Sequence, residues 1–165
     1  MADQSTHALA ARAQSSRTRE VAPPAGSYCC HIPHIRLGEF DMGGVLYHAH
    51  YFHLYEIARE SFLKDNGLSY PQIVARERHL PLVESHQQFF APIFYGQEID
   101  VHLWIREIRR SSFTVVYRLY ESGKPGLLHE AWTTLVHVTM SGEYPKVLPL
   151  EDDLKALLSR YQIAE

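Results

Sequence analysis

The chain has 165 residues, a net charge of −3, 45 % hydrophobic and 21 % charged residues, which is ordinary for one globular domain able to bury a core without staples. That balance offers no global basic field for nucleic acid, and no apolar run is long enough to span a bilayer or to serve as a signal-peptide core. The two cysteines, Cys29 and Cys30, are neighbours that seldom form an unstrained bridge, so a reducing, cytoplasmic setting is expected.

Residues 1–27 are rich in Ala, Ser, Gln and Arg and end in Pro23-Pro24-Ala25-Gly26. They read as a disordered N-terminal tail, with residues 28–165 as the folded domain. The tail is also acid-poor, as transit peptides are, but a plain extension is the reading adopted. Residues 28–37 read as a strand in which Pro33 demands an edge position or a bulge. Residues 38–47 form a loop carrying Glu39-Phe40-Asp41-Met42-Gly43-Gly44-Val45-Leu46-Tyr47-His48. From 48 to 66, Tyr51, Phe52, Leu54, Tyr55, Ala58, Phe62 and Leu63 recur at helical spacing over more than one face, as suits a helix wrapped by a sheet. Asn66-Gly67 closes that helix. Ser69-Tyr70-Pro71-Gln72 has the form of a capping box, predicting a short helix to Glu77.

A less cleanly patterned strand spans 80–91. Then Ile99, Val101, Leu103 and Ile105, and after them Phe113, Val115, Tyr117 and Leu119, alternate with polar residues, and Trp132, Thr134, Val136 and Val138 set the phase of the last strand. Period two predicts strands with one face buried. Arg109-Arg110-Ser111-Ser112 and Gly123-Lys124-Pro125-Gly126 are the turns. A final helix is predicted from Leu150 to Ile163, with Glu151, Asp152 and Asp153 in its first turn, where the dipole favours acids. The order predicts an α+β domain.

Among these elements the 39–48 loop has the clearest chemical content. It sets a carboxylate and a two-glycine turn beside the donor end of a helix, whose first N–H groups lack intrahelical partners. Such a start can stabilise charge developing on a carbonyl oxygen. Asp41 can act as nucleophile or as general base, although an acid before Gly-Gly is also a common turn residue. The sequence leaves the choice between the two chemical routes open. The eleven histidines show no zinc-type spacing. His50 and His53 lie at i, i+3 and read as helix-surface or interface residues, so no metal is expected. Gly-x-Ser-x-Gly is absent, as is a Walker or Rossmann phosphate loop.

The loop and the following Tyr51-Phe52-His53-Leu54-Tyr55-Glu56-Ile57-Ala58-Arg59 resemble the signature of the hotdog-fold acyl-CoA thioesterases. Specifically, they are similar to the 4-hydroxybenzoyl-CoA thioesterase-like family, which includes the Tol-Pal-associated thioesterases. That family carries Asp-x-Asp-x-x-Gly-Val-Val-Tyr-His followed by Glu-x-Ala-Arg on a helix. Here Glu39 replaces the first acid, and the likeness extends over about residues 30–148. It implies a curved antiparallel sheet of about five strands around a long central helix. It also implies a homodimer or homotetramer with its sites at the dimer interface, and hydrolysis of an acyl-CoA or acyl-carrier-protein thioester without a cofactor.

By the same resemblance, Asp41 carries the chemistry, Gly44 allows close approach to the ligand, and the backbone N–H of His48 meets the oxyanion. Tyr47 is a packing residue or pocket wall. Glu107-Ile108-Arg109-Arg110-Ser111-Ser112-Phe113 is similar to the family's CoA-contacting segment, which implicates Arg109, Arg110 and Ser112 in binding CoA. Ser111 stands where the family has lysine. Glu56 and Arg59 read as an ion pair, with Glu56 the fallback acid should Asp41 prove inert. The competing readings are a non-catalytic acyl-binding module and a hotdog hydratase or dehydratase, whose Asp-x-Asn-Pro-x-His run is missing.

Overall fold

Alternating apolar residues lay down the main sheet of the protein. The computed structural model describes residues 19–164. Its strands are β1 (Arg19–Glu20), β2 (Tyr28–Ile32), β3 (Arg78–His79), β4 (Leu82–Phe89), β5 (Ile99–Ile108), β6 (Ser112–Glu121), β7 (Gly126–Val136), β8 (Val138–Thr139) and β9 (Lys146–Val147). Its helices are α1 (Tyr51–Asp65), α2 (Tyr70–Ala75) and α3 (Asp152–Arg160), with 3-10 turns at Leu37–Glu39 and His48–His50. The main sheet runs β2-β5-β6-β7 with antiparallel pairing throughout, and β4 and β1 both pair with the far side of β7.

One face of this sheet packs on α1. Ile99, Val101, Leu103 and Ile105 of β5 and Phe113, Val115, Tyr117 and Leu119 of β6 join Leu54, Tyr55, Ala58 and Phe62 of α1 in one buried cluster. Removing a side chain such as Leu54 or Phe62 from such a cluster typically costs about 3–5 kcal/mol. The helix buries a single stripe and turns His53, Glu56, Ile57 and Glu60 outward, so it lies on the sheet with one face open.

The opposite face of the sheet is less bare than period two predicts, because Trp104 and Val116 are buried there too. The Arg118 guanidinium lies 5.1 Å from the Trp104 ring centroid. Residues 21–27 cross the same face. The Tyr120 hydroxyl donates to the Val21 carbonyl at 2.8 Å, and Ser27 Oγ lies 3.1 Å from His102 Nδ1.

Several boundaries are corrected. Of the tail read over 1–27, residues 1–18 lie outside the described residues, while Arg19 and Glu20 pair with Leu127 and Gly126. Strand β2 stops at Ile32 rather than 37, since Pro33 offers no N–H to a ladder; it is an edge strand, as Pro33 requires. The last strand is buried on the phase opposite to the predicted one: Ala131, Thr133 and Leu135 are buried, while Trp132, Thr134 and Val136 are only half-buried, because the larger apolar side chains lie on the face away from α1. It breaks at His137, whose N–H turns to the Ser111 carbonyl, and β8 continues into a small sheet β3-β8-β9 that periodicity did not reveal. Helix α3 is shorter than predicted, and Glu151 caps it rather than entering it. Gly67 ends α1 at φ 81°, and the Ser69 N–H donates to Gln72 Oε1 at 2.8 Å as the capping box predicts. Cys29 is exposed and Cys30 buried, on opposite faces of β2 and both free. No described helix is long and apolar enough to cross a membrane.

Candidate active site

The Asp41 loop is a hairpin-like turn pinned at both ends. Phe40 bridges to Leu46, the Asp41 N–H donates to the Val45 carbonyl at 2.9 Å, and the Gly44 N–H donates to the Asp41 carbonyl at 3.0 Å. Gly44 sits at φ 76°, a conformation that strains any side chain with a Cβ. One carboxylate oxygen, Asp41 Oδ1, accepts from the N–H groups of Gly43 (2.8 Å) and Val45 (3.3 Å). Among the described residues Oδ2 has no hydrogen-bond partner. One oxygen of the side chain is thus taken up by the turn, and the other is left without a partner among the described residues.

The Leu46 N–H donates to the Ile93 carbonyl at 2.8 Å, and the Tyr47 N–H to the Glu39 carbonyl at 3.0 Å. These bonds deliver the chain to the 3-10 turn at His48–His50, which runs directly into α1. The first N–H groups of that turn, those of His48 and Ala49, have no acceptor behind them within it.

Asp41 and His48 line one cleft of about 340 Å³ together with Val45, Leu46, Tyr51 and Phe89. From the sequence Tyr51 is expected either to line an aromatic pocket or to be core, whereas Phe89 is not singled out. Their rings meet edge to face with centroids 5.0 Å apart. Burial pushes the Tyr51 phenol up to about 12, so it is a neutral hydroxyl at physiological pH.

Beneath them sits His129, fully buried, with ring centroids 4.5 Å from both Tyr51 and Phe89. Its Nε2 is hydrogen-bonded to the Tyr55 hydroxyl, whereas Nδ1 has no partner among the described residues. Burial alone drives the imidazole down to about 3, so it is neutral. The phase read from Trp132, Thr134 and Val136 puts it on the outer face, whereas it shares the buried face with Ala131, Thr133 and Leu135.

The remaining sequence candidates are dispersed. Tyr47 does not line the Asp41 cleft; it is 42 % exposed and leans on His48, with ring centroids 4.2 Å apart. Glu56 lines a second cleft of about 510 Å³ with Phe52, Arg59, Leu80 and Leu82. It makes no ion pair with Arg59 within the chain. Instead Arg59 Nη1 donates to the Tyr117 hydroxyl at 3.2 Å, drawn toward the stacked Tyr55–Tyr117 pair. Arg109, Arg110 and Ser112 sit on the β5–β6 turn and line neither of these clefts. Arg109 Nε donates to Glu107 Oε1 at 2.9 Å, which holds the Glu107 carboxyl below its usual range. Ser112 closes the turn by accepting the Arg109 N–H on its carbonyl.

Along β4 the two clefts lie at opposite ends. Leu82, in the second cleft, pairs with Leu135, while Phe89, in the Asp41 cleft, pairs with His129. Seven residue steps along the strand separate them, roughly 23 Å. The Arg109–Ser112 turn lies at the Leu82 end, since Ser112 pairs with Val136.

The chain is similar to known proteins. A 1,4-dihydroxy-2-naphthoyl-CoA hydrolase of Microcystis aeruginosa is 27 % identical over 122 residues, covering 73 % of this chain and 86 % of that protein. An acyl-CoA thioester hydrolase of Escherichia coli is 28 % identical over 109 residues, covering 66 % and 81 %. The chain spans between 62 % and 68 % of the length of three further curated relatives that it matches. The solved structure of a 1,4-dihydroxy-2-naphthoyl-CoA thioesterase from Synechocystis superposes with a TM-score of 0.73 at 26 % identity, covering 81 % of this chain and 96 % of that one. A family profile described as thioesterase-like superfamily matches residues 35–158, from the approach to the Asp41 loop through most of α3, and the chain belongs to that superfamily.

Proposed function

We propose that the protein hydrolyses acyl-CoA thioesters to a free carboxylic acid and CoA, with Asp41 as nucleophile or general base. The observation that carries this reading is the cleft itself, which Asp41 and His48 line together. Asp41 Oδ2 has no hydrogen-bond partner among the described residues, and His48 opens the 3-10 turn that leads into α1. A thioester carbonyl held there would present its carbon to the acid and its oxygen to the N–H donors. In the base route a water oxygen attacks the carbonyl carbon while Asp41 takes the water proton. In the nucleophilic route Asp41 forms a mixed anhydride that water then cleaves. Either way the C–S bond breaks and CoA leaves as thiol. The walls supplied by Tyr51 and Phe89 favour an apolar or aromatic acyl group. The relatives' names direct the first substrates to 1,4-dihydroxy-2-naphthoyl-CoA and simple acyl-CoAs.

The working unit is a homodimer built through β4. Seven of its eight residues are exposed, including Leu82, Val83 and Phe89, and its outer edge offers unpaired backbone groups. Two-fold antiparallel pairing of β4 with a second copy would set the Leu82 end of one chain beside the Phe89 end of the other. Each Asp41 cleft would then abut the Glu56 cleft of the partner, and the partner's Arg109–Ser112 turn would lie about two strands away. Arg110, whose side chain makes no hydrogen bond or ion pair among the described residues, is the better placed of the two arginines to grip CoA phosphate.

A non-catalytic binding role has one observation in its favour, the engagement of Asp41 Oδ1 in its own turn. Thiol release from aromatic, short-chain and long-chain acyl-CoAs, compared between wild type and Asp41→Asn, separates the two. Asparagine keeps the Oδ1 acceptor and the turn but removes the anion. Turnover lost with binding retained is the expected result; equal behaviour of the two proteins would leave only the turn role.

A further inference from the structure

We propose that Glu39, His50 and His53 form a binding site for one divalent transition-metal cation of the zinc class, clasping the Asp41 loop to the start of α1. Sequence spacing shows only the two histidines. The fold adds the third ligand from another element, because the Leu37–Glu39 turn is folded back against the entry to α1 by the bond from the Tyr47 N–H to the Glu39 carbonyl.

The three donor atoms converge. His50 Nδ1 and His53 Nδ1 are 3.5 Å apart, His53 Nδ1 is 3.8 Å from Glu39 Oε2, and all three lie within 4.8 Å of one another. Two nitrogens bound tetrahedrally to zinc at 2.0–2.1 Å stand about 3.4 Å apart, so the imidazoles already hold the ligand spacing. Closing the carboxylate onto the same point takes a shift of roughly 1 Å, within the reach of a glutamate side chain.

Direct contact between the histidines is a poor alternative. At 3.5 Å two Nδ1 atoms are at the limit of a hydrogen bond, and they can make one only if the rings adopt unlike protonation at Nδ1. A cation accepts a lone pair from both. Two imidazoles and one carboxylate suit Zn²⁺, Ni²⁺ or Cu²⁺ rather than Mg²⁺ or Ca²⁺. Glu39 is largely covered while His53 is half exposed, so the site has a fixed floor and an open approach, with water completing the shell. The cation has no part in the thioester chemistry. It would brace the loop two residues before Asp41, and the inference stands whether or not the protein is a hydrolase.

The test is titration of the chelator-stripped full-length protein with Zn²⁺ by calorimetry, repeated with Co²⁺ for its visible spectrum. One Zn²⁺ per chain, a tetrahedral-type Co²⁺ spectrum and slowed amide exchange over residues 39–50 are expected. His50→Ala and His53→Ala should each weaken binding by at least tenfold, and Glu39→Gln should weaken it as well, with His34→Ala as an unaffected control. Absence of saturable binding, or binding that the three substitutions leave unchanged, would overturn the proposal. Metal-free melting temperatures of the variants establish that they fold; should an alanine variant fail, the glutamine variant at that position makes the same measurement.

Discussion

The two ends of the β4–β7 ladder are built from different materials. At the Phe89 end the strands rest on rings: Phe89, Tyr51 and the buried His129, with Asp41 above them at the rim. At the Leu82 end the surroundings are ionic. Arg76 bonds Glu151 and Asp153, Arg78 bonds Glu151, and Arg109 bonds Glu107. Among the described residues the ring-lined cleft has an acid and no arginine or lysine in its lining, while the ionic end has Arg110, whose side chain has no partner there, and a cleft without Asp41. Within one chain these halves are held apart. The proposed antiparallel pairing of two copies through β4 would make them neighbours, so that the asymmetry within the protomer would become complementarity between protomers.

The largest expected effect falls on the acid at the ring-lined end. Asp41→Asn should lower kcat/KM by about 10²–10⁴, with a melting temperature close to wild type because the turn acceptor survives. Steady-state thiol release together with thermal melting checks both halves of that statement. Loss of the fold instead would mean that the charge, and not the acceptor, holds the turn.

The open edge comes next. Val83→Lys places a charge on an exposed position of β4 without touching either cleft lining. A charge forced into a closely packed interface position should cost about 2 kcal/mol, about a 30-fold weaker dimer. Light scattering should show monomer at concentrations where wild type is dimeric, and activity should fall in parallel. A fully active monomer would refute the composite site.

The buried histidine predicts a pH dependence specific to its end of the ladder. Its folded-state pKa, about 3, lies below the unfolded value of 6.5, so between those limits the unfolded chain binds the proton more readily. The contribution is therefore intact above about pH 6.5 and is lost as the pH falls toward 3. From pH 7 to pH 5 it amounts to about 2 kcal/mol. Urea unfolding at the two pH values should show this loss in wild type and its absence in His129→Leu, other groups titrating alike in both.

What the sequence made legible was mostly local. The Asp41–Gly44 turn, the α1 stop at Gly67 and the capping box at Ser69 depend on residues within four positions of each other, and so do the period-two strands β5 and β6, whereas the phase read for β7 from Trp132, Thr134 and Val136 is inverted. The misses depend on pairing. Arg19 and Glu20 form a strand only because β7 is long enough to hold both them and β4 on one edge. Tyr51 and Phe89 form a cleft wall only because β4 brings residue 89 over the helix start; in sequence Tyr51 is left between pocket wall and core, and Phe89 carries no signal of its own. Arg59 bonds Tyr117 rather than Glu56 because a phenol 58 positions away lies closer to its guanidinium. Periodicity tells which face a residue occupies, and it is silent on what faces it.

The smallest effect distinguishes the two arginines at the ionic end. Arg109 is already held by Glu107, so it must give up that bond to reach a phosphate, whereas Arg110 gives up nothing. Arg110→Ala should therefore raise KM for acyl-CoA by about tenfold, the loss of one charge-assisted hydrogen bond, with kcat little changed and the sensitivity of KM to salt reduced. Arg109→Ala should raise KM less. A short pantetheine thioester lacks the nucleotide phosphates, so both variants should treat it as wild type does. Equal losses on the short and full substrates would move these arginines from CoA recognition to support of the hairpin that closes between Arg109 and Ser112.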